Sequence, residues 1–506
     1  MQQKSKINQM LGPVLLFIAV AGLAIILAGL IGLGAGIYVL LFVLGLVFIV
    51  IGSIDFRVCV VAMVIMLPLS STQFFPRQLF GLTGVNPFNL MFILGFLSFG
   101  LSRFFARTQT SVKVEGFRFF WPVMLAMLVA TYIGSGHLHQ IPLFYRLEQP
   151  DLFESRPQYF RDVFVKPLML FGSVWLLANA VARSKGVQGW IAAIVAGSAG
   201  IACMVWFFVA MSGFSFGSLS SAGARTFLSP TGMHANEIGV ALLPAYAACL
   251  FIFRHLKSGW SKVGIAGVGV LVLSATLLTF SRAAMLALLI VTILFVFRLR
   301  KPVWILGGLI VVSVAVLFAP QPIQDRVTEG FEIGAVGAKN DALTAGRVRD
   351  IWAPLAPEIA RQPLLGNGIN STMWSQAARS GIIVVGHPHN AYLLLLMDYG
   401  VVLGALVVFF LVSIWRLWRA LSRDAERDPV ERAFFDGICA AFLAFLVQGL
   451  SGSSLVFGIS HAVYLGALGI ALGVIAKKPI AVLPNKSRNL KRQPELLRVS
   501  KGRAWV

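Results

Sequence analysis

The stretch GHPHNAYLLLLMDYG, residues 386–400, joins two histidines and a proline to a run of leucines. Its reading decides the fold, because such a run is either the core of a soluble helix or the start of a membrane span. The rest of the chain makes the choice. Of its 506 residues 58% are hydrophobic and 12% charged, with a mean hydropathy of +0.84. A soluble chain of this length needs far more polar surface. Apolar runs long enough to cross a bilayer recur from end to end. The expected fold is an all-α polytopic integral membrane protein. The first run, residues 12–40, is too long for a secretory apolar region and reads as a retained hairpin of two spans.

Fourteen candidate spans start near residues 12, 34, 57, 87, 119, 167, 189, 235, 263, 283, 303, 388, 433 and 455. With the N-terminus placed in the cytoplasm, alternate loops fall on alternate sides. The inner side then receives 29 of the 42 Lys and Arg residues; 7 of the 20 acids lie inside, 12 outside, and Asp436 within a span. This is the positive-inside pattern. The formal charge of +22 is thus a record of topology. The basic tail, residues 477–506, reads as a cytoplasmic anchor against anionic lipid, and no nucleic acid is expected as a partner. Cys59, Cys203, Cys249 and Cys439 lie inside apolar runs at wide spacing and resemble neither a disulfide framework nor a metal site. The expected organisation is a membrane bundle of about eleven spans over 1–319, a large outer loop over 320–387, three further spans over 388–476, and the tail.

Ser281–Arg282 interrupts an apolar run. A continuous helix would bury a lone arginine in hydrocarbon at a cost of several kcal/mol, so a break is expected there, with Arg282 at the outer mouth. Three outer segments are long: residues 135–166, 212–234 and 320–387. Within the last, residues 347–361 read as a helix with an apolar stripe at Ile351, Trp352, Leu355 and Ile359, ended by Pro363.

Five outer groups suit chemistry: Arg225, Arg282, Arg347, His387 and His389. Arginine offers a permanent charge and a fixed fork of donors for phosphate oxygens. Histidine accepts a proton near neutral pH and can activate a hydroxyl. Asn390 could orient the histidine or a sugar, and Asn236 is a further candidate for substrate binding. Glu237 could pair with an arginine or act as a base, and Asp398 could make an intramembrane hydrogen bond. Each also has a plain reading: an outer arginine as an interface anchor, His389 satisfying a carbonyl at a helix start. There is no HExxH, no clustered acidic set and no P-loop, so neither metal nor cofactor is expected.

The ordered set RTFLSPTGMHANEIG (225–239), TFSRAAML (279–286), AGRVRDIW (345–352), PLLGNG (363–368) and HPHNAYLLLLMDYGVVLG (387–404) resembles the O-antigen ligase and polymerase superfamily, whose ligases are called WaaL and polymerases Wzy. That resemblance implies a GT-C-like helical bundle with a large periplasmic loop, in the bacterial inner membrane, with both termini cytoplasmic. It implies transfer of a glycan from undecaprenyl pyrophosphate at the periplasmic face to lipid A–core, or to a second lipid-linked glycan if the chain is a polymerase. By motif, Arg225 and Arg282 would bind the pyrophosphate, His389 would activate the acceptor, and Arg347 matches the arginine before the loop tryptophan. Two features depart from the pattern: HAN at 234–236 where HPN is common, and about two extra spans. A transporter of the same lipid-linked glycan is the rival class, and would carry ionisable groups through the midplane.

Overall fold

The computed structural model describes residues 52, 55–79, 82–84, 86–105, 114, 117–148, 152–212, 226–299, 346–452 and 454–477. The spans expected near residues 12, 34 and 303, Arg225, most of the segment 212–234, residues 320–345 and nearly all of the basic tail lie outside the described residues.

The described chain is an all-α, multi-pass membrane helical bundle. Its main helices are α1 (Phe56–Leu69), α2 (Pro87–Phe105), α3 (Phe117–Ser135), α4 (Lys166–Ala182), α5 (Gln188–Met211), α6 (Ala235–Ile252), α7 (Gly259–Leu277), α8 (Arg282–Arg298), α9 (Ala353–Arg361), α10 (Ala391–Arg423), α11 (Pro429–Gln448) and α12 (Ala462–Lys477). Eight helical segments among the described residues are long and apolar enough to cross a membrane. Two residues of β1 (Gln78–Leu79) pair antiparallel with two of β2 (Leu82–Thr83) between α1 and α2.

Capping side chains mark several helix starts. Asp55 accepts from the Arg57 N–H before α1, Ser281 from the Ala284 N–H before α8, and Asp428 from Val430 and Glu431 before α11. α4 is the end of a helix that starts well before the span expected near residue 167. The helix runs on from Arg156 through a π-turn at Arg161–Val165, giving 27 residues. The charges that hid it pair with each other: Asp162 takes both Arg161 and Lys166 at 3.0 and 2.7 Å.

α4 packs on α12, α6 on α11, α8 on α11, α3 on α10, and α1 on α2 and α5. The α4–α12 contact is close enough that a Cβ at Gly473 would lie 2.5 Å from the Ala178 carbonyl oxygen. α7 lies at the periphery, with Trp260, Val263 and Val270 exposed. Lipid is as apolar as these side chains, so no force drives them inward.

α10 is broken at Gly400, whose φ of 62° and ψ of −167° are not helical. Its first limb, residues 391–399, runs from the end of α11, where the Ala391 N–H meets the Gly449 carbonyl, to the end of α3, where the Ile369 N–H meets the Ala130 carbonyl beside the break. The 23 residues that follow Gly400 are about 35 Å long, enough to cross the hydrocarbon unaided. The limb after the break is therefore long enough to form a span by itself, and the leucine run of residues 393–396 belongs to the limb before it.

Two small cores lie apart from the main one, and the second takes in Met397 of this limb. Leu138, Ile141, Tyr145, Tyr159, Met373 and Trp374 form one, which joins segments 135–166 and 369–379. Leu355, Ala377, Ile383 and Met397 form the other, with Ile351 and Ile359 packed against it. The apolar stripe of the 347–361 helix is thus turned onto α10, not onto lipid. The helix opens as a π-turn, Val348–Trp352, before α9.

Candidate functional site

The run that contains Arg282 is broken. Phe280 takes a φ of 50°, Ser281 caps α8, and Arg282 is its first residue. The Ser281 hydroxyl also donates to Asn236 Oδ1 at 2.6 Å. Asn236 is a junction: its backbone N–H donates to His234 Nδ1, its side-chain amide to the Ser451 carbonyl, and its own carbonyl accepts from Gln448 Nε2. One residue at the start of α6 thereby sets the relative positions of the α8 mouth, the end of α11 and His234. Its committed side chain makes it a positioning group.

Glu237 completes a capping box, its carboxylate accepting from the His234 N–H at 3.2 Å. A helix N-terminus favours an anion there without any arginine. Asn390 caps α10, its Oδ1 accepting from the N–H groups of Tyr392 and Leu393.

Three imidazoles gather at this mouth. His387 and His389 stand 4.0 Å apart between ring centroids, edge to face, and His234 and His389 stand 6.0 Å apart. His387 Nδ1 accepts from the His389 backbone N–H, so its neutral ring carries the proton on Nε2. Burial pushes the His387 pKa down to about 4, and the neighbouring His234 and Arg347 push in the same direction. His387 is therefore neutral at physiological pH and cannot serve as a standing cation. The same effect places Arg347 beside this group. Trp352 adds a tether, its indole N–H donating to the Pro388 carbonyl at 2.8 Å.

His389 itself has a φ of 52°. A non-glycine residue in the left-handed region costs roughly 1–3 kcal/mol and persists only where its surroundings hold it. Here Pro388 is tethered by Trp352 on one side, and Asn390 is locked as a cap on the other. Of the predicted residues, the structure thus joins His387, His389, Arg347, Asn390, Asn236 and Glu237 around one mouth, and ties Arg282 to it through Ser281. Arg225 lies outside the described residues. Sequence reasoning missed His234; its only signal was the parallel between HAN at 234–236 and HPHN at 387–390, each a histidine ahead of a helix-starting asparagine.

Ten residues beyond Asn390, at Gly400, the chain solves a different problem. The N–H groups of Asn367 and Gly368 meet the Met397 and Asp398 carbonyls, and those of Val401 and Val402 meet the Pro363 and Leu364 carbonyls. The PLLGNG segment thus satisfies the backbone groups freed by the break in α10. The approach is backbone on backbone: a Cβ on Gly366 would lie 2.6 Å from the Asp398 carbonyl, and one on Gly400 2.5 Å from the Gly366 nitrogen. Buried Asp398 accepts from the Asn370 and Ser371 N–H groups and from the Ser371 hydroxyl at 2.6 Å.

Residues 267–408 match the O-antigen ligase family model, Wzy_C. The matched stretch runs from within α7 to within α10 and includes Arg282, Arg347, His387, His389, Asn390 and the PLLGNG junction. Asn236, Glu237 and His234 lie before it. No curated protein matches the chain. The chain is a membrane protein with an O-antigen-ligase-like domain, which is consistent with ligase or polymerase activity on lipid-linked glycans.

Proposed function

We propose that this protein is a periplasmic-face glycosyltransferase that moves a glycan from undecaprenyl pyrophosphate to an acceptor hydroxyl, most simply as an O-antigen ligase acting on lipid A–core. The observation that carries the reading is the strained His389, clamped between Trp352-tethered Pro388 and the Asn390 cap, within a mouth that also holds His387, His234 and Arg347 and adjoins Arg282. Strain held in place by its surroundings is a mark of a working residue. The match over residues 267–408 supports the same class.

In this reading the acceptor oxygen attacks the anomeric carbon as its proton passes to His389. The bond from that carbon to the pyrophosphate oxygen breaks, and the electron pair leaves with the pyrophosphate. Arg282 and Arg225 neutralise the departing charge, and Arg347 helps to bind the substrate. The anomeric carbon inverts. The pyrophosphate ester supplies the driving force, so the reaction needs no nucleotide and no metal.

Reconstitution tests it. Purified protein in lipid vesicles receives the lipid-pyrophosphate glycan with lipid A–core alone, or with no acceptor except a second donor molecule, each with excess EDTA. Product of lipid A–core size is expected. A ladder of glycan lengths without lipid A–core would convert the assignment to polymerase. Movement of intact lipid-linked glycan across the bilayer, with no new glycosidic bond, would sink the transferase reading in favour of a transporter.

A further inference from the structure

Beside Asn236 lies a small cleft between the start of α6, the end of α11 and the turn that leads into α12. Asn236, Glu237, Gln448, Gly449, Ser460 and His461 line it. The room open to the centre of a water-sized group is about 20 Å³, which admits one such group and no sugar ring.

Two buried side chains that line this cleft each hold a polar atom without a partner among the described residues. His461 and Gln448 are 6% and 2% exposed. Neither His461 Nε2 nor Gln448 Oε1 has a hydrogen-bond partner among the described residues. Both orientations follow from the other end of each side chain. His461 Nδ1 accepts from the Gly458 N–H at 3.1 Å, so the neutral ring carries its proton on Nε2. Gln448 Nε2 donates to the Asn236 carbonyl at 3.4 Å, which leaves Oε1 as an acceptor. The imidazole is held rigidly, stacked on Phe457 at 5.3 Å and met edge-on by Phe445 at 5.2 Å. A buried donor and a buried acceptor without partners are rare in native interiors and call for an explanation. A hydroxyl is the group that accepts from Nε2–H and donates to Oε1 at once.

We infer that this cleft is a hydroxyl-recognition subsite, in which His461 and Gln448 together take one hydroxyl of the sugar joined to the lipid pyrophosphate. The inference rests on the transferase reading above and deepens it. The choice of sugar follows from the connections on the page. Asn236 walls the cleft and is bonded through Ser281 to the position of Arg282, where the pyrophosphate is held. The nearest hydroxyls to that group belong to the first sugar. The ring stays outside the cleft and one hydroxyl enters it, so His461 and Gln448 read the configuration of a single carbon.

The test uses Gln448→Met and His461→Phe, which keep shape and ring stacking while removing the acceptor and the donor. Full-length wild type and variants in nanodiscs are titrated with the lipid-pyrophosphate glycan from producing cells, and separately with undecaprenyl pyrophosphate bearing no sugar. Thermal midpoints and transfer rates are measured on the same samples. Each variant is expected to bind the glycan at least tenfold more weakly, to bind the bare carrier as wild type does, and to keep its midpoint. A lowered midpoint with unchanged glycan affinity would overturn the subsite, since the cleft would then hold a structural water. Equal weakening for glycan and bare carrier would overturn it too, because the effect would come from the pyrophosphate position. Wild-type transfer without the variant effect removes the subsite and leaves the transferase; the variant effect without transfer removes the transferase and leaves a glycan-binding cleft.

Discussion

The two ends of the first limb of α10 make an instructive pair. At its far end, Gly400 and Gly366 let two stretches of backbone touch, and four N–H groups and their carbonyl partners close the gap. At its near end, the same kind of departure from regular backbone is made by His389, at a φ of 52°, with no glycine to relieve it. Phe280, just before Ser281–Arg282, is held the same way at 50°. The junction is irregular because the fold needs a bend there, and it uses the residue that bends without strain. The mouth is irregular at an imidazole, His389, and at a buried aromatic ring, Phe280. Asn370, beside the junction, also takes a φ of 71°, but asparagine visits the left-handed region more readily than most residues, so what marks the mouth is left-handed backbone at a histidine and a phenylalanine.

The sharpest break of this contrast comes at His389. His389→Ala and His389→Gly should each lower the transfer rate by about 10²–10⁴-fold, the usual worth of a positioned base. The glycine variant should also raise the thermal midpoint relative to the alanine variant, because it relaxes the left-handed backbone. An active His389→Gly protein would place the strain with the scaffold after all. Gly400→Ala and Gly366→Ala should behave in the opposite manner. Their cost should fall on folding, read as a large drop in midpoint and in the yield of monodisperse protein, with the surviving fraction turning over normally.

Arg282→Lys comes next. A point charge in place of the guanidinium fork should reduce transfer by about 10–100-fold at saturating donor with little change in midpoint. The smallest effect concerns pH. His387 has its pKa lowered from the ordinary 6.5 to about 4 by burial. Its unfolded form gains a proton as pH falls through 6.5, while the folded form resists until about 4. The unfolded state therefore binds more protons across that window, and stability present above pH 6.5 is lost on acidification. His387→Asn should flatten the decline of thermal midpoint between pH 6.5 and 4. An unchanged slope would mean that the ring is not held neutral by its surroundings.

How far the site could be read beforehand depended on what kind of contact made it. The break at Arg282 was legible, because a lone arginine within a long apolar run is intolerable in lipid. The helix over 347–361 was legible from its stripe, but its destination was not. The stripe could face lipid or protein, and only the packing of Leu355 with Met397 and Ile383 shows that it covers α10. Asp398 makes the hydrogen bond its setting predicts, but its partners, residues 370 and 371 beside a helix break, were not legible. The run LLLL in residues 393–396 disguised that break, since hydropathy does not distinguish a continuous helix from one broken a few residues later.

The sequence by itself determined that the chain lives in a membrane and where most of its helices begin. Those facts follow from solvent transfer and from capping, which act residue by residue or over one turn. It also marked Arg282, His387 and His389 as unusual, since each stands out against its own neighbours. Only the tertiary structure decided that Asn236 ties α6 to Ser281 and to the end of α11, that His234 joins the two histidines of the HPHN stretch, and that Gln448 and His461 face one cleft. Such contacts join segments up to some two hundred residues apart, and no local preference of the chain encodes them. They exist because helices packed to protein density bring particular faces together, and that choice is made by the bundle as a whole.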